Sequence, residues 1–225
     1  PAPVEYPWLA LSILLHCGYC LFLGRAYRLG EFGQIYPLAR GSAPLVTLLL
    51  GALLLGEVPG VVAVAGAMVL VGGVLLMAWR GGIRLAPAAL CAVLITALFT
   101  AAYTLSDGVG ARSAGEPIRY TLWLFTLTAL MMPLLMRWQS RTALRSLTRA
   151  EWYSGALGGA LSLLAYGIVI WAMTRAPIGL VAALRESSVL FAVLLSWLWL
   201  GERLGRVRLM AALVILCGIL LIRLG

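Results

Sequence analysis

"ARGSAPLVTLLLGALLLGE", residues 39–57, and "LRESSVLFAVLLSWLWLGE", residues 184–202, superpose without gaps when the chain is shifted against itself by 145 residues. Arg40 falls on Arg185 and Gly56-Glu57 on Gly201-Glu202; further on, Gly60 falls on Gly205 and Gly73 on Gly218. Leucine matches carry little weight in a leucine-rich chain. An arginine, a Gly-Glu pair and two glycines in one register read as an internal duplication. Each copy is also an apolar run of about 20 residues, enough helix to cross a hydrocarbon core about 30 Å thick.

Outward from these copies the whole chain has the same character. Its 225 residues are 63% hydrophobic with a mean hydropathy of +1.01, where soluble domains use about 45–50% apolar residues. Apolar runs lie near 7–24, 34–56, 59–79, 86–106, 118–138, 153–174, 178–200 and 206–224. None alternates with the two-residue period of a membrane barrel, so the runs read as helices, which satisfy their own backbone hydrogen bonds in lipid. The expected fold class is an all-α polytopic membrane protein.

The copies near 34–56 and 178–200 stand five spans apart in chain order and therefore cross the membrane in opposite directions. The repeat is inverted, an arrangement from which many secondary transporters are built. Residues 86–225 hold five spans and form a complete second repeat, whereas residues 1–80 hold three. The first repeat then lacks its first two helices, and two further spans, about 60 residues, are expected upstream. The full architecture is two inverted five-helix repeats, eight spans here of an inferred ten.

Seventeen basic residues, all arginine, against eight acids invite a nucleic-acid reading, but their distribution argues for a membrane. Arg25, Arg28, Arg80, Arg84, Arg137, Arg141, Arg145, Arg149, Arg203, Arg206 and Arg208 fall in connections on one face; only Arg112, Arg119, Arg175 and Arg223 fall on the other. That asymmetry places the Arg-rich loops in the cytoplasm of a cell (inner) membrane and both ends of the chain outside. The longest connection, "RWQSRTALRSLTRAE" at 137–151, reads as a headgroup-facing topology determinant. Trp8, Trp79, Trp138 and Trp152 lie at span ends as interfacial belt residues. Cys17 and Cys20 make a CxxC, but with no further Cys or His cluster they read as packing residues, so no metal site, cofactor or disulfide framework is expected. The first span lacks the basic start and small-residue cleavage site of a signal peptide.

Arg40 and Arg185 remain, one in each copy and each within a span. An ionised side chain at membrane depth costs about 2.5 to 3.5 kcal/mol even on lenient scales, so it faces a cavity or a partner. Two arginines approaching a central cavity from opposite faces suit a carrier that opens alternately to each side. A guanidinium grips carboxylate or phosphate oxygens in a bidentate fork, which implies an anionic or zwitterionic solute. Glu186 is adjacent to Arg185, and helix neighbours one apart point about 100° away from each other, so its partner is expected on another helix. It is a candidate proton carrier, as is Asp107 at the end of the fourth span. Pro37, Gly41 and Pro44 around Arg40, and Pro177 and Gly179 before Arg185, predict broken helices at corresponding places. His16, Tyr19, Tyr36, Tyr103, Tyr166 and Trp171 are candidates to line the cavity, and Glu57 and Glu202 read as helix-end anchors at the water boundary.

The segments "VAALRESSVLFAVLLSWLWLGERLGRVRLMAALVILCGILLIRL" at 181–224, "YPLARGSAPLVTLLLGALLLGE" at 36–57 and "AYTLSDGVG" at 102–110 resemble the EamA-type transporters of the drug/metabolite transporter superfamily. The resemblance covers the whole chain and implies ten helices in two inverted repeats, of which this chain supplies helices three to ten. It puts the substrate path beside His16, Tyr19, Tyr36, Arg40, Tyr166, Trp171, Arg185 and Glu186. It also implies chain ends in the cytoplasm, opposite to the arginine count. The function expected is secondary transport, by alternating access, of a small anionic or zwitterionic metabolite, with amino-acid-like export foremost. The alternative is a flippase for a lipid-linked phosphate-bearing substrate. A membrane-embedded enzyme is a minor alternative, since no HExxH, GxSxG or paired acid cluster is present. The partners expected are a small-molecule substrate and the lipid bilayer, with no nucleic acid and a homodimer as a possible assembly.

Overall fold

A computed structural model describes residues 1–30, 32–78, 86–139, 148–188, 190–191 and 206–225. After a 3-10 turn at Pro3–Glu5 the ordered elements are helices: α1 (Tyr6–Leu29), α2 (Phe32–Leu55), α3 (Val61–Ala78), α4 (Pro87–Ala114), α5 (Pro117–Gln139), α6 (Arg149–Met173), α7 (Ile178–Arg185) and α8 (Arg206–Leu224). No strand occurs among the described residues. Five of the helices are long and apolar enough to cross a membrane, and the apolar segments Val61–Leu76 and Leu209–Leu224 are shorter. The chain is an all-α polytopic membrane protein.

Helix limits follow local chemistry. Pro87 and Pro117 open α4 and α5, where a missing N–H costs nothing and the fixed φ suits a first turn. Thr148 and Glu151 open α6 with a reciprocal capping box. Gly56 and Gly115, at φ +66 and +72, close α2 and α4 in the left-handed conformation that a side chain resists.

The seventh apolar run departs from expectation. The apolar run 178–200 is not one helix: α7 stops after eight residues, and the chain turns at Glu186 and Ser187 before helix resumes at Ser188. There the N–H groups of Glu186 and Ser187 donate to the carbonyls of Ala183 and Leu184, both at 3.0 Å, so the last turn tightens to three-residue spacing. In contrast α2 runs uninterrupted through Pro37, Gly41 and Pro44, so only one of the two matching segments is broken.

The described chain forms two compact units. Unit 1 comprises Pro1–Cys17 and Tyr103–Arg175; unit 2 comprises Gly18–Ala102 and Ala176–Gly225. Unit 1 is built on Leu9, Ile13, Ala111, Tyr120, Leu124 and Ile170, with Trp8 and Cys17 packed against them. Trp8 is thus part of a core as well as near a helix end. Trp152 is 60% exposed. Trp79, Glu202 and the connections carrying Arg80, Arg84, Arg141, Arg145 and Arg203 lie outside the described residues, as does the side chain of Trp138.

Unit 2 has two clusters. Ala26, Ile35, Ala39, Ala89, Ala92 and Val93 tie α1, α2 and α4 together; Ala67, Leu70, Val74, Ala183, Ile215 and Ile222 tie α3, α7 and α8. Helices α3 and α8 touch backbone to backbone. A Cβ at Gly66 would stand 2.8 Å from the Gly218 carbonyl oxygen, and one at Gly73 would stand 3.1 Å from the Ala211 carbonyl oxygen. Shifting by 145 turns residue 66 into 211 and 218 into 73, so these two contacts exchange with each other. Residue numbers fall along α8 as they rise along α3, which makes the pair antiparallel.

Candidate functional site

Helices α2 and α7 also run antiparallel. The carboxylate of Glu57, just past α2, accepts from the Ile178 N–H at 2.7 Å, satisfying an orphan donor in the first turn of α7. A Cβ at Gly179 would meet Leu48 Cα at 2.8 Å, so this glycine permits close approach of the two helices rather than loosening α7. At the far end of α7, Glu186 meets Arg40.

Glu186 has no exposure, and Arg40 grips it with two bonds: Nε donates to Oε2 at 2.9 Å and Nη2 to Oε1 at 3.1 Å. This bidentate fork is among the strongest side-chain contacts available. Arg185 Nε lies 3.7 Å from Glu186 Oε1. The expectation that Arg185 and Glu186 diverge is corrected to that extent, because the 100° rule presumes a continuing helix and this one tightens and ends. The ring of Tyr36, one turn before Arg40, lies 5.8 Å from the guanidinium carbon, and Tyr27 of α1 is within electrostatic reach of both Tyr36 and Arg40.

Two arginines and one glutamate sum to a formal charge of +1. The 145-residue shift lays Glu186 on Gly41, so the acid is present in one copy only. Arg40 and Arg185 keep side-chain exposures of 31% and 17%, whereas the carboxylate between them has none. The cluster can therefore present guanidinium donors to a ligand that carries a carboxylate or phosphate.

Other expected residues gather elsewhere. His16, Tyr103, Tyr166 and Asp107 meet in unit 1: Tyr166 donates to Asp107 Oδ2 at 2.7 Å, and the His16 ring stacks on Tyr103 with centroids 3.9 Å apart. Trp171 is half-exposed with Arg175 over its ring at 5.5 Å. Tyr19 is half-buried on α1 in unit 2.

Several participants were not singled out from sequence. Tyr27 joins the arginine cluster, Ser12 and Tyr120 join Asp107, and fully buried Glu5 binds Arg119 at 2.9 Å. Asp107 stands at a span end in the sequence, where interfacial exposure is the ordinary expectation; burial by α1, α5 and α6 makes it different. Glu5 offered one signal, an acid beside the first span with Arg119 on the same predicted face.

A family model described as the EamA-like transporter family matches residues 87–224. A solved crystal structure is similar over 97% of this chain and 78% of its own length, at 21% identity and a TM-score of 0.66. At that identity the likeness speaks for the fold alone. No match is found among curated proteins.

Proposed function

The chain belongs to the EamA-like transporter family, and on that premise we propose that it exchanges a small anionic or zwitterionic metabolite, amino-acid-like in form, by alternating access across an inner membrane. Membership makes it a membrane transporter; the substrate class rests on the arginine cluster. The observation that carries it is the convergence of two partly exposed guanidiniums, Arg40 and Arg185, on a Glu186 carboxylate that has no exposure, inside an apolar helix bundle. The carboxylate is already enclosed while the guanidiniums keep an accessible side, and planar donors of this kind grip a substrate carboxylate or phosphate.

The inverted repeat supports the mechanism. Antiparallel α2 and α7, and α3–α8 contacts that exchange under the 145-residue shift, agree with two halves related by a two-fold axis in the membrane plane. In such a carrier Arg40 and Arg185 take equivalent stations on opposite sides of the site. Glu186 keeps Arg40 satisfied while the site is empty, and a substrate anion competes for the same guanidinium.

The test is counterflow in liposomes with labelled mixtures of amino acids, nucleotides and sugar phosphates, alongside Arg185→Ala. Saturable exchange of one class that is lost in Arg185→Ala supports the reading. Wild-type exchange in Arg40→Ala and Arg185→Ala would sink it, and folded protein that exchanges none of the mixtures would direct attention to lipid-linked phosphates.

A further inference from the structure

A second polar centre lies in unit 1. Asp107 is fully buried on α4, and hydroxyls converge on its carboxylate from three other helices. Tyr166 of α6 donates at 2.7 Å and Tyr120 of α5 at 3.2 Å, and Ser12 of α1 supplies a third hydrogen bond. His16, one turn beyond Ser12, is within electrostatic reach of the carboxylate. Its Nδ1 stands 2.9 Å from the Ser12 carbonyl oxygen. A carbonyl only accepts, so Nδ1 carries a hydrogen and Nε2 is the nitrogen left to take up or release another.

The remaining groups around this centre are Tyr103, one turn earlier on α4 and stacked against the imidazole, and Glu5, which acts on Tyr120 and is itself held by Arg119. Glu5 is buried and Arg119 is more than a third exposed.

Hydroxyl donors satisfy the lone pairs of a carboxylate but do not cancel its charge. In an apolar bundle a buried carboxylate calls for a cation nearby, and the nearby group is the chain's single histidine. A tie between helices needs Asp107 with Tyr120 and Tyr166 alone. It does not need the side chain best suited to exchange a proton near neutral pH.

We propose that Asp107 and His16 form the proton-binding site through which transport is coupled to a proton gradient, an inference that rests on the transporter reading above. Uptake adds H⁺ at Nε2 of His16, and the imidazolium with the Asp107 carboxylate is neutral as a pair. Release returns that proton to water and leaves the carboxylate with its hydroxyl donors, one negative charge in all. The two states differ by one charge in a buried site, and each favours a different arrangement of the helices that enclose it.

Two readouts test this with the full chain. In the first, nitrogen NMR of the protein labelled at histidine follows its single imidazole in lipid without any substrate. The wild type gains a second N–H as the pH is changed, and Asp107→Asn alters the pH at which that event occurs, as loss of a neighbouring opposite charge requires. An event at unchanged pH in Asp107→Asn overturns the proposal. In the second, counterflow at equal pH is compared with accumulation driven by an imposed pH difference, using the labelled mixture that supports exchange. Asp107→Asn is expected to keep counterflow within about twofold of wild type and to lose the response to the pH difference. A retained response in the folded variant, or its absence in the wild type, overturns the coupling. If the wild type shows no counterflow at all, the transporter reading fails, while the NMR result still decides the proton site.

Discussion

Replacing Arg40 by methionine removes the principal partner of a carboxylate that has no exposure, and the cost can be worked from the contact. At 2.9 Å and an effective dielectric of about 20, the attraction between the two charges is about 6 kcal/mol. Desolvation takes back several kcal/mol per ion, and Arg40 is still partly hydrated, so the net coupling is about 2 kcal/mol. Arg40→Met alone strands Glu186 and is expected to cost about 3 kcal/mol, at the low end of the 3–5 or so of a fully orphaned pair, because Arg185 at 3.7 Å stands in. Glu186→Met leaves an arginine that can still reach water and costs about 1 kcal/mol. The double variant, with neither charge, is expected to lose only about 2 kcal/mol. Unfolding titrations of the four proteins in one detergent measure all three differences. If the single costs add within about 0.5 kcal/mol, the pair is not coupled and the account of Glu186 as the resting partner of Arg40 is refuted.

Arg185→Lys is expected to retain folding but lose most exchange, because an ammonium keeps the charge without the planar fork; exchange equal to wild type would show that charge alone suffices. Glu57→Gln weakens the charge-assisted cap on the Ile178 N–H and is expected to cost about 1–2 kcal/mol in unfolding titrations. Gly218→Ala drives a Cβ to 2.5 Å from the Leu70 backbone nitrogen, which no side-chain rotation relieves; the folded yield should fall sharply. Gly155→Ala meets nothing within 4 Å and is expected to be neutral or to stabilise by up to about 1 kcal/mol through helix propensity. Equal yields from these two alanine variants would contradict the close α3–α8 packing.

Helices and membrane residence were legible in the sequence because each rests on a pattern that any context preserves. Apolar runs of bilayer length leave the backbone few alternatives, and a 145-residue shift aligns rare residues whatever their surroundings. The same patterns exposed Arg40, Arg185 and Glu186, since an ionised group inside such a run demands an explanation. What α7 does at Glu186 was not legible. An uninterrupted apolar run carries no mark of where the last turn tightens, and the predicted signal, proline and glycine, served the packing against Leu48 and the entry to α7 instead.

Partnership was decided by tertiary structure alone. Glu186 pairs with a residue 146 positions away, Asp107 with hydroxyls from three other helices, and Glu57 with the first turn of a helix 121 positions on. Composition and spacing report what each side chain is and how deep its helix carries it. Only the packing of helices reports which opposite charge, hydroxyl or free N–H it meets, because that depends on the rotation of each helix about its own axis, which a span hydrophobic on all sides does not encode.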